Sequence, residues 1–88
     1  MGKSKKKIAE VTQAFTSAMA EKYPHVCQDV YLEERDGYHS WVRVRVPPEL
    51  RPLHSEILNT SVELTDQLWD TGVWIMGLVV QEREPVHG

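Results

Sequence analysis

The sequence predicts an α+β domain, a two-layer sandwich in which two helices cover one face of a three-stranded mixed sheet. Three observations predict it. Two segments carry apolar residues at helical spacing, two others alternate apolar and polar residues, and a short segment near the end is apolar throughout. Along the chain these segments give the order α-β-β-α-β. With 88 residues there is room for one domain, predicted over residues 1–88 with flexible ends at 1–4 and 82–88.

The first helix is predicted over residues 5–22. Ser4 is a suitable N-cap because its hydroxyl can accept a hydrogen bond from the first turn, and Pro24 disfavours helical conformation at Tyr23. The apolar stripe repeats every three or four residues and comprises Ile8, Val11, Phe15, Ala18 and Met19. We expect this stripe to face the sheet.

Two strands follow, over residues 25–34 and 38–46, with Arg35, Asp36 and Gly37 between them. The Asp-Gly pair suits a two-residue type I′ turn, whereas a three-residue loop would place Gly37 in the left-handed conformation. The two turns differ by one residue in register, and such a shift moves every side chain of a strand to the other face. The consistency of the two faces therefore decides between the turns.

The two-residue turn places Asp29 opposite a valine and so mixes charge into the apolar face. The three-residue loop pairs Glu34 with Tyr38 and Tyr31 with Trp41, and it brings valines of both strands together on one face. It also gives each charged residue an opposite or neutral partner, which favours the pairing. We therefore predict the three-residue loop.

The second helix is predicted over residues 52–71, because Pro47 and Pro48 end the second strand and Pro52 fits only the first helical turn. Gly72 is a suitable C′ residue. The apolar stripe is nearly a heptad seam, made of Leu50, Leu53, Ile57, Ser61, Leu64 and Leu68, with Leu58, Val62 and Trp69 on one flank. From this stripe we expect Ile57 and Leu64 to be buried beneath the sheet.

The third strand is predicted over residues 73–80, which are apolar on both faces and rich in strand-forming residues. A right-handed crossover through the second helix makes it parallel to the second strand. One face carries Val73, Ile75 and Val79, and the other carries Trp74, Met76, Leu78 and Val80. The sequence leaves open which face meets the helices. The topology resembles a ferredoxin-like fold that lacks its first strand, an order that occurs in modules of unrelated function.

Composition and charge argue against several classes of function. The net charge of −3 and the isoelectric point of about 5.7 argue against a general nucleic-acid or anionic-membrane binder. No apolar run approaches the length of a membrane span, and no signal peptide precedes the domain. Cys27 is the only cysteine, which excludes an internal disulfide and favours a cytoplasmic location. Without a phosphate-binding loop, a catalytic triad or a zinc-protease motif, we expect no enzyme, cofactor or metal.

His25, Cys27 and Asp29 alternate along the first strand and therefore project to one face. All three are metal-ligand types. A metal site also needs a fourth ligand and supporting hydrogen bonds, and neither is visible in the sequence. The simpler interpretation is an edge strand with a small apolar cysteine and an ion pair between Asp29 and Arg43.

The predicted open face of the sheet combines aromatic, apolar and basic side chains. Six residues are candidates for an interface: Tyr31, Trp41, Trp74, Met76, Leu78 and Val80. Three more could contact a ligand or nucleic acid: His39, Arg43 and Arg45. Aromatic rings among arginines bind bases in some RNA-binding folds, and the lysines at 3 and 5–7 could contact phosphates. Against nucleic acid stand the acidic residues on or beside this surface and the absence of an RNP-type motif.

The residues Val-Pro-Pro-Glu-Leu at 46–50, the following helix with His54, and a last strand running towards Pro85 carry one family resemblance. In element order and in these residues the chain resembles the cytoplasmic domain of cation-diffusion transporters. The resemblance implies metal-binding histidines on the second helix and near the chain end, to which His54 and His87 would correspond. Membership of that family is not inferred.

The chain has more apolar side chains than two helices and one sheet face can bury, and this excess indicates a function. Two helices cover one sheet face, yet the third strand offers apolar side chains to both faces, and monomers rarely expose large apolar patches. We therefore predict a non-catalytic interaction or regulatory module that forms a homodimer through the open face or strand 73–80, with Gly77 allowing the copies to approach closely. A different protein partner, or a small apolar ligand at the dimer interface, could use the same surface.

Two further function classes remain open. A nucleic-acid or metal-responsive binder would use the sheet face around Trp41, Arg43 and Arg45. An enzyme assembled across a dimer interface would combine Cys27 with a histidine such as His25 or His39 from both chains.

Overall fold

The structure is a computed structural model that describes residues 4–82. Two α-helices and three strands follow in the order α-β-β-α-β, so the predicted α+β class and element order are confirmed. The elements are α1 (Lys5–Lys22), β1 (Cys27–Tyr31), β2 (Ser40–Val46), α2 (His54–Leu68) and β3 (Ile75–Gln81). The 3-10 helices Pro48–Leu53 and Trp69–Thr71 flank α2.

Helix α1 begins and ends where the sequence predicts. The Ser4 hydroxyl accepts a hydrogen bond of 3.1 Å from the Lys7 N–H and so caps the first turn. At the other end, Tyr23 precedes Pro24 and leaves the helical region with φ −131° and ψ 78°. The side chains that α1 buries include three of the predicted stripe, Val11, Phe15 and Met19.

The sheet has the strand order β1-β2-β3, antiparallel between β1 and β2 and parallel between β2 and β3. Tyr31 lies opposite Trp41, so the predicted strand register is confirmed. The N–H of Glu82 donates a hydrogen bond of 2.8 Å to the C=O of Val46, which continues the parallel ladder past β3. The predicted flexible ends otherwise lie largely outside the described residues.

The turn between β1 and β2 differs from the prediction. Arg35, not Glu34, pairs with Tyr38, and Asp36 and Gly37 both have positive φ, 54° and 86°. This is the two-residue turn whose twist suits a hairpin. Between this turn and the paired strands, residues 32–34 lie opposite only residues 39–40. The extra residue forms a bulge, and the bulge preserves the predicted strand register. Local turn chemistry and face consistency are thus both satisfied.

The core lies between the helices and one face of the sheet. Val42, Val44 and Val46 point from β2 into it, while the intervening residues face the other way. Ile75 of β3 lies on the same side and is 4% exposed. The face with Val73, Ile75 and Val79 therefore meets the helices, which settles the orientation of the third strand.

Helix α2 is rotated relative to its leucine stripe. Ile57 is fully buried as predicted, whereas Leu64, predicted to be buried as well, is only half-buried and packs against the core from its margin. The inner face of α2 includes Ser61, the one polar member of the stripe, and Thr60, which lies outside the stripe. The helix thus meets the sheet through smaller side chains than the sequence predicts.

Gly77 accounts for this close approach. A Cβ atom at this position would collide with the Ser61 hydroxyl of α2 and would lie 3.1 Å from the Phe15 ring. The glycine therefore faces the helices and lets α2 lie near β3. Its predicted role in bringing two copies together is wrong, because it points into the core.

Two buried hydroxyls join α1 to β2. The Oγ1 of Thr12 lies 2.7 Å from the Oγ of Ser40, and it also donates to the C=O of Ile8 at 2.7 Å. Each hydroxyl therefore has a hydrogen-bond partner, as burial requires.

Tyr23 packs into the core beside α2. Its hydroxyl donates a hydrogen bond of 2.6 Å to Glu56 Oε2 and lies 3.0 Å from Thr60 Oγ1. Burial, and then the hydrogen bond to Glu56, raise the pKa of the Tyr23 hydroxyl above its usual 10.0. The folded state therefore holds this proton in a pH range where the unfolded state releases it.

This shift predicts a loss of stability at alkaline pH. As pH rises past about 10, the unfolded chain is favoured by ionising Tyr23, so the free energy of unfolding falls. Tyr23→Phe should cost about 1 kcal/mol at pH 7, and should reduce the fall in stability above pH 10. Urea unfolding from pH 7 to 11 measures both, with Tyr31→Phe as the exposed control. Equal alkaline losses in the parent protein and Tyr23→Phe would contradict the assignment.

Candidate functional site

The sheet face opposite the helices is formed by three rows of side chains, here called the open face. The strand registers place Tyr31, Trp41 and Met76 in one row, Asp29, Arg43 and Leu78 in the next, and Cys27, Arg45 and Val80 in the third. Five of the six predicted interface residues therefore lie on one surface. Leu78 is 42% exposed and Val80 is 38% exposed, so the β3 column is apolar and accessible to solvent.

The centre of the open face is charged, and the charges are paired. Asp29 Oδ2 lies 3.0 Å from Arg43 Nη2 and 2.9 Å from Arg45 Nε, and Arg45 Nη1 lies 3.6 Å from Glu82 Oε1. The pair predicted between Asp29 and Arg43 is confirmed. Both arginines predicted to contact a ligand thus have carboxylate partners, with which a phosphate group would have to compete.

Trp74 lies apart from these rows, at the beginning of β3. Its indole stacks on Trp69, which follows α2, with ring centroids 4.8 Å apart and planes inclined by 12°. Its C=O accepts a hydrogen bond of 2.8 Å from the His39 N–H. Trp74 therefore joins the end of the sheet to the end of α2.

His39 is part of the same junction. Its Nδ1 accepts a hydrogen bond of 3.0 Å from the Trp74 N–H, and its ring lies 5.7 Å from the Trp74 ring. Since its backbone N–H also binds Trp74, His39 is tied to that residue on two sides. This arrangement favours a structural function over the predicted ligand contact.

Trp41 is held by a cluster around the β1–β2 turn. The Arg35 guanidinium lies over its ring at 4.8 Å, and the Trp41 Nε1–H donates to the Arg35 C=O at 3.3 Å. Tyr38 contacts the ring edge-on at 5.7 Å. This cluster was not predicted from the sequence, although the short distance from the Asp-Gly turn to Trp41 is a signal for it.

The outer edge of β3 has no strand partner among residues 4–82. The Ser40 N–H donates to the Trp74 C=O and the Glu82 N–H to the Val46 C=O. In a parallel ladder this pattern directs the backbone groups of even-numbered β3 residues towards β2. The N–H and C=O groups of Ile75, Gly77, Val79 and Gln81 therefore point to the free edge.

Within residues 4–82, the free edge of β3 lacks the features that usually protect such strands. Its seven residues include no charge and no proline. Natural sheets usually protect an edge with lysine, proline, a bulge or a covering element. An unprotected edge of this kind is suited to pairing with another strand.

An exposed apolar stripe of α2 lies beside this edge. Val62 is 53% exposed and Trp69 is 49% exposed, and Leu58 lies one turn before Val62. A groove of about 240 Å³ between α2 and β3 combines apolar residues with polar ones, Asp66 among them. Its lining is Tyr38, Ser61, Val62, Thr65, Asp66, Trp69, Ile75, Met76 and Gly77. The apolar flank of α2 that the sequence identified is thus continuous with the free edge.

The residues considered above as metal ligands or as a reactive thiol do not come together in the described part of the chain. No group of three or more His, Cys, Asp or Glu side chains among residues 4–82 could hold a metal ion. Cys27 is exposed, and Asp29 is bound by two arginines. His54 is half-buried at the beginning of α2, and His87 lies outside the described residues.

Comparisons with known proteins give no relative to guide the assignment. No protein family, no curated protein and no solved structure matches the chain. Within residues 4–82, neither helix has the length and apolar character that crossing a membrane requires.

Proposed function

We propose that the protein is a non-catalytic interaction module that forms a homodimer, and that the free edge of β3 is the main contact. The observation that carries the proposal is the continuity of an unprotected, uncharged edge strand with the exposed apolar stripe of α2. Both elements gain partners when a second copy adds to this edge. A free, exposed thiol at Cys27 supports a cytoplasmic location for the module.

Burying the side chains at the edge supplies the driving force. Full burial of a side chain such as Leu or Val stabilises by about 1.5–3 kcal/mol relative to full exposure. Leu58 and Val62 on α2, Trp69 directly after it, and Leu78 and Val80 on β3 all remain partly exposed in one copy. A second copy can cover all five without any change in the fold.

The open face is the other surface that could mediate self-association, and its charges disfavour it. Stacking two sheets face to face would bury Asp29, Arg43 and Arg45 near the centre of the contact. Taking ion pairs out of water costs energy that their attraction does not always restore. No residue of β3 is charged, and the groove beside its edge contains one carboxylate, that of Asp66.

A pair of matched lysine substitutions distinguishes the two surfaces. Leu78→Lys and Tyr31→Lys each add a charge at an exposed position of the open face, at opposite margins of the sheet. Edge pairing predicts that only Leu78→Lys weakens the dimer, by at least tenfold in Kd, whereas stacking of the open faces predicts that both do.

Sedimentation equilibrium of both variants and the parent protein measures these dissociation constants, and circular dichroism confirms that each variant is folded. A parent protein that remains monomeric at high micromolar concentration contradicts the proposal. A different protein would then be the candidate partner for this surface.

A further inference from the structure

We infer that two copies pair their β3 strands antiparallel, with Leu78 on the two-fold axis, and so form one six-stranded sheet. This inference rests on the proposed self-association and specifies its geometry. The occupant of the edge is thereby a second copy of the same chain.

Backbone geometry limits the registers that are available. Only Ile75, Gly77, Val79 and Gln81 direct their N–H and C=O groups outward. In an antiparallel pair, hydrogen-bonded positions must therefore match odd-numbered residues with odd-numbered residues. A two-fold axis at Leu78 pairs Ile75 with Gln81 and Gly77 with Val79, and it engages the whole strand. An axis at Gly77 or at Val79 leaves one end of each β3 strand unpaired.

The side chains agree with the same register. On the open face it places Met76 opposite Val80 of the second copy and Leu78 opposite its own equivalent. These non-hydrogen-bonded pairs bring side chains closest together, and all of them are apolar. Each copy has a net charge of −3, and because no residue from Ile75 to Gln81 is charged, pairing of the two β3 strands places no like charges opposite each other.

The helical layer closes over the same axis. Because α2 packs on β3 and its exposed stripe borders the free edge, the two-fold axis brings the α2 helices of both copies side by side and antiparallel. Leu58, Val62 and Trp69 then lie between the two helices. Pairing of the edges alone would leave this stripe in water, so the two contacts support each other.

Disulfide trapping tests the register in the full-length chain. In a Cys27→Ser background, Leu78→Cys places two thiols on the axis with Cα atoms about 4.5 Å apart, within the range that a disulfide spans. Oxidised glutathione converts the two thiols to one disulfide and is itself reduced to two molecules of glutathione. We expect most of the chain to form a covalent dimer.

Val80→Cys in the same background is the matched control, since its two copies would lie about 14 Å apart along the strands. It should cross-link only when Met76→Cys is also present. Efficient cross-linking by Val80→Cys alone, or none by Leu78→Cys in a protein that sediments as a dimer, overturns the register but leaves self-association standing. A monomeric parent protein overturns both.

Discussion

Ile75→Lys is expected to unfold the protein, whereas Met76→Lys at the next position leaves it folded and soluble. Ile75 is 4% exposed and packs under the helices, so a lysine there would bury an unpaired charge. Met76 is half-buried on the open face, where a lysine can extend its ammonium group into water. The contrast is large because the two side chains lie on opposite faces of one strand.

Circular dichroism and urea unfolding of the two variants measure this contrast. The parent protein gives the reference curve, and Met76→Lys controls for the added charge. A folded Ile75→Lys protein, or an unfolded Met76→Lys protein, would mean that β3 has the reverse orientation. The open face would then be assigned to the wrong residues.

Ile57→Ala is expected to lower the free energy of unfolding by about 2–5 kcal/mol, a large fraction of the stability of a domain this small. Ile57 is fully buried between α2 and the sheet, so its truncation leaves a cavity. Leu64→Ala should cost less, because Leu64 is only half-buried. Glu63→Ala, on the exposed side of α2, should change stability by no more than about 0.5 kcal/mol.

Urea unfolding followed by tryptophan fluorescence ranks these three variants. The expected order of loss is Ile57→Ala, then Leu64→Ala, then Glu63→Ala. If Leu64→Ala proved the most damaging, the leucine stripe would face the sheet as the sequence predicts, and the rotation of α2 would be wrong.

Register and layer order could be predicted because they depend on patterns that extend over many residues. Only one register brings the valines of β1 and β2 together on one face, and the structure has Tyr31 opposite Trp41 accordingly. The turn, in contrast, depends on a few dihedral angles. An Asp-Gly turn gives one register when the strands are regular and the other register when residues 32–34 contain a bulge. Face consistency could therefore fix the strands without fixing the turn.

The inner face of α2 could be predicted only in part, because the stripe contains the buried Ile57 and Ser61 but also Leu64 and lacks Thr60. The spacing places Ser61 on the stripe, but the room for its hydroxyl comes from Gly77, which is distant in sequence. Thr12 and Ser40 are a similar pair, since their buried hydroxyls form a hydrogen bond with each other. Such pairs are properties of the tertiary fold, which local periodicity does not contain.

The residues of the candidate interface could also be predicted only in part, because some of their contacts depend on the tertiary fold. Alternation along β3 correctly places Met76, Leu78 and Val80 on the open face. Trp74 follows the same alternation but stacks on Trp69, a contact that depends on where α2 ends. The free edge required the strand order, which the sequence left undetermined.

The contact between Gly77 and Ser61 also limits how this chain can diverge in evolution. A side chain at 77 is incompatible with the present spacing of α2 and β3, so a replacement there requires a smaller residue at 61 or a displaced helix. Within this fold the two positions, sixteen residues apart, are expected to change together. Linked small residues at this separation, the second of them within an uncharged strand, would therefore mark distant relatives whose other residues have diverged.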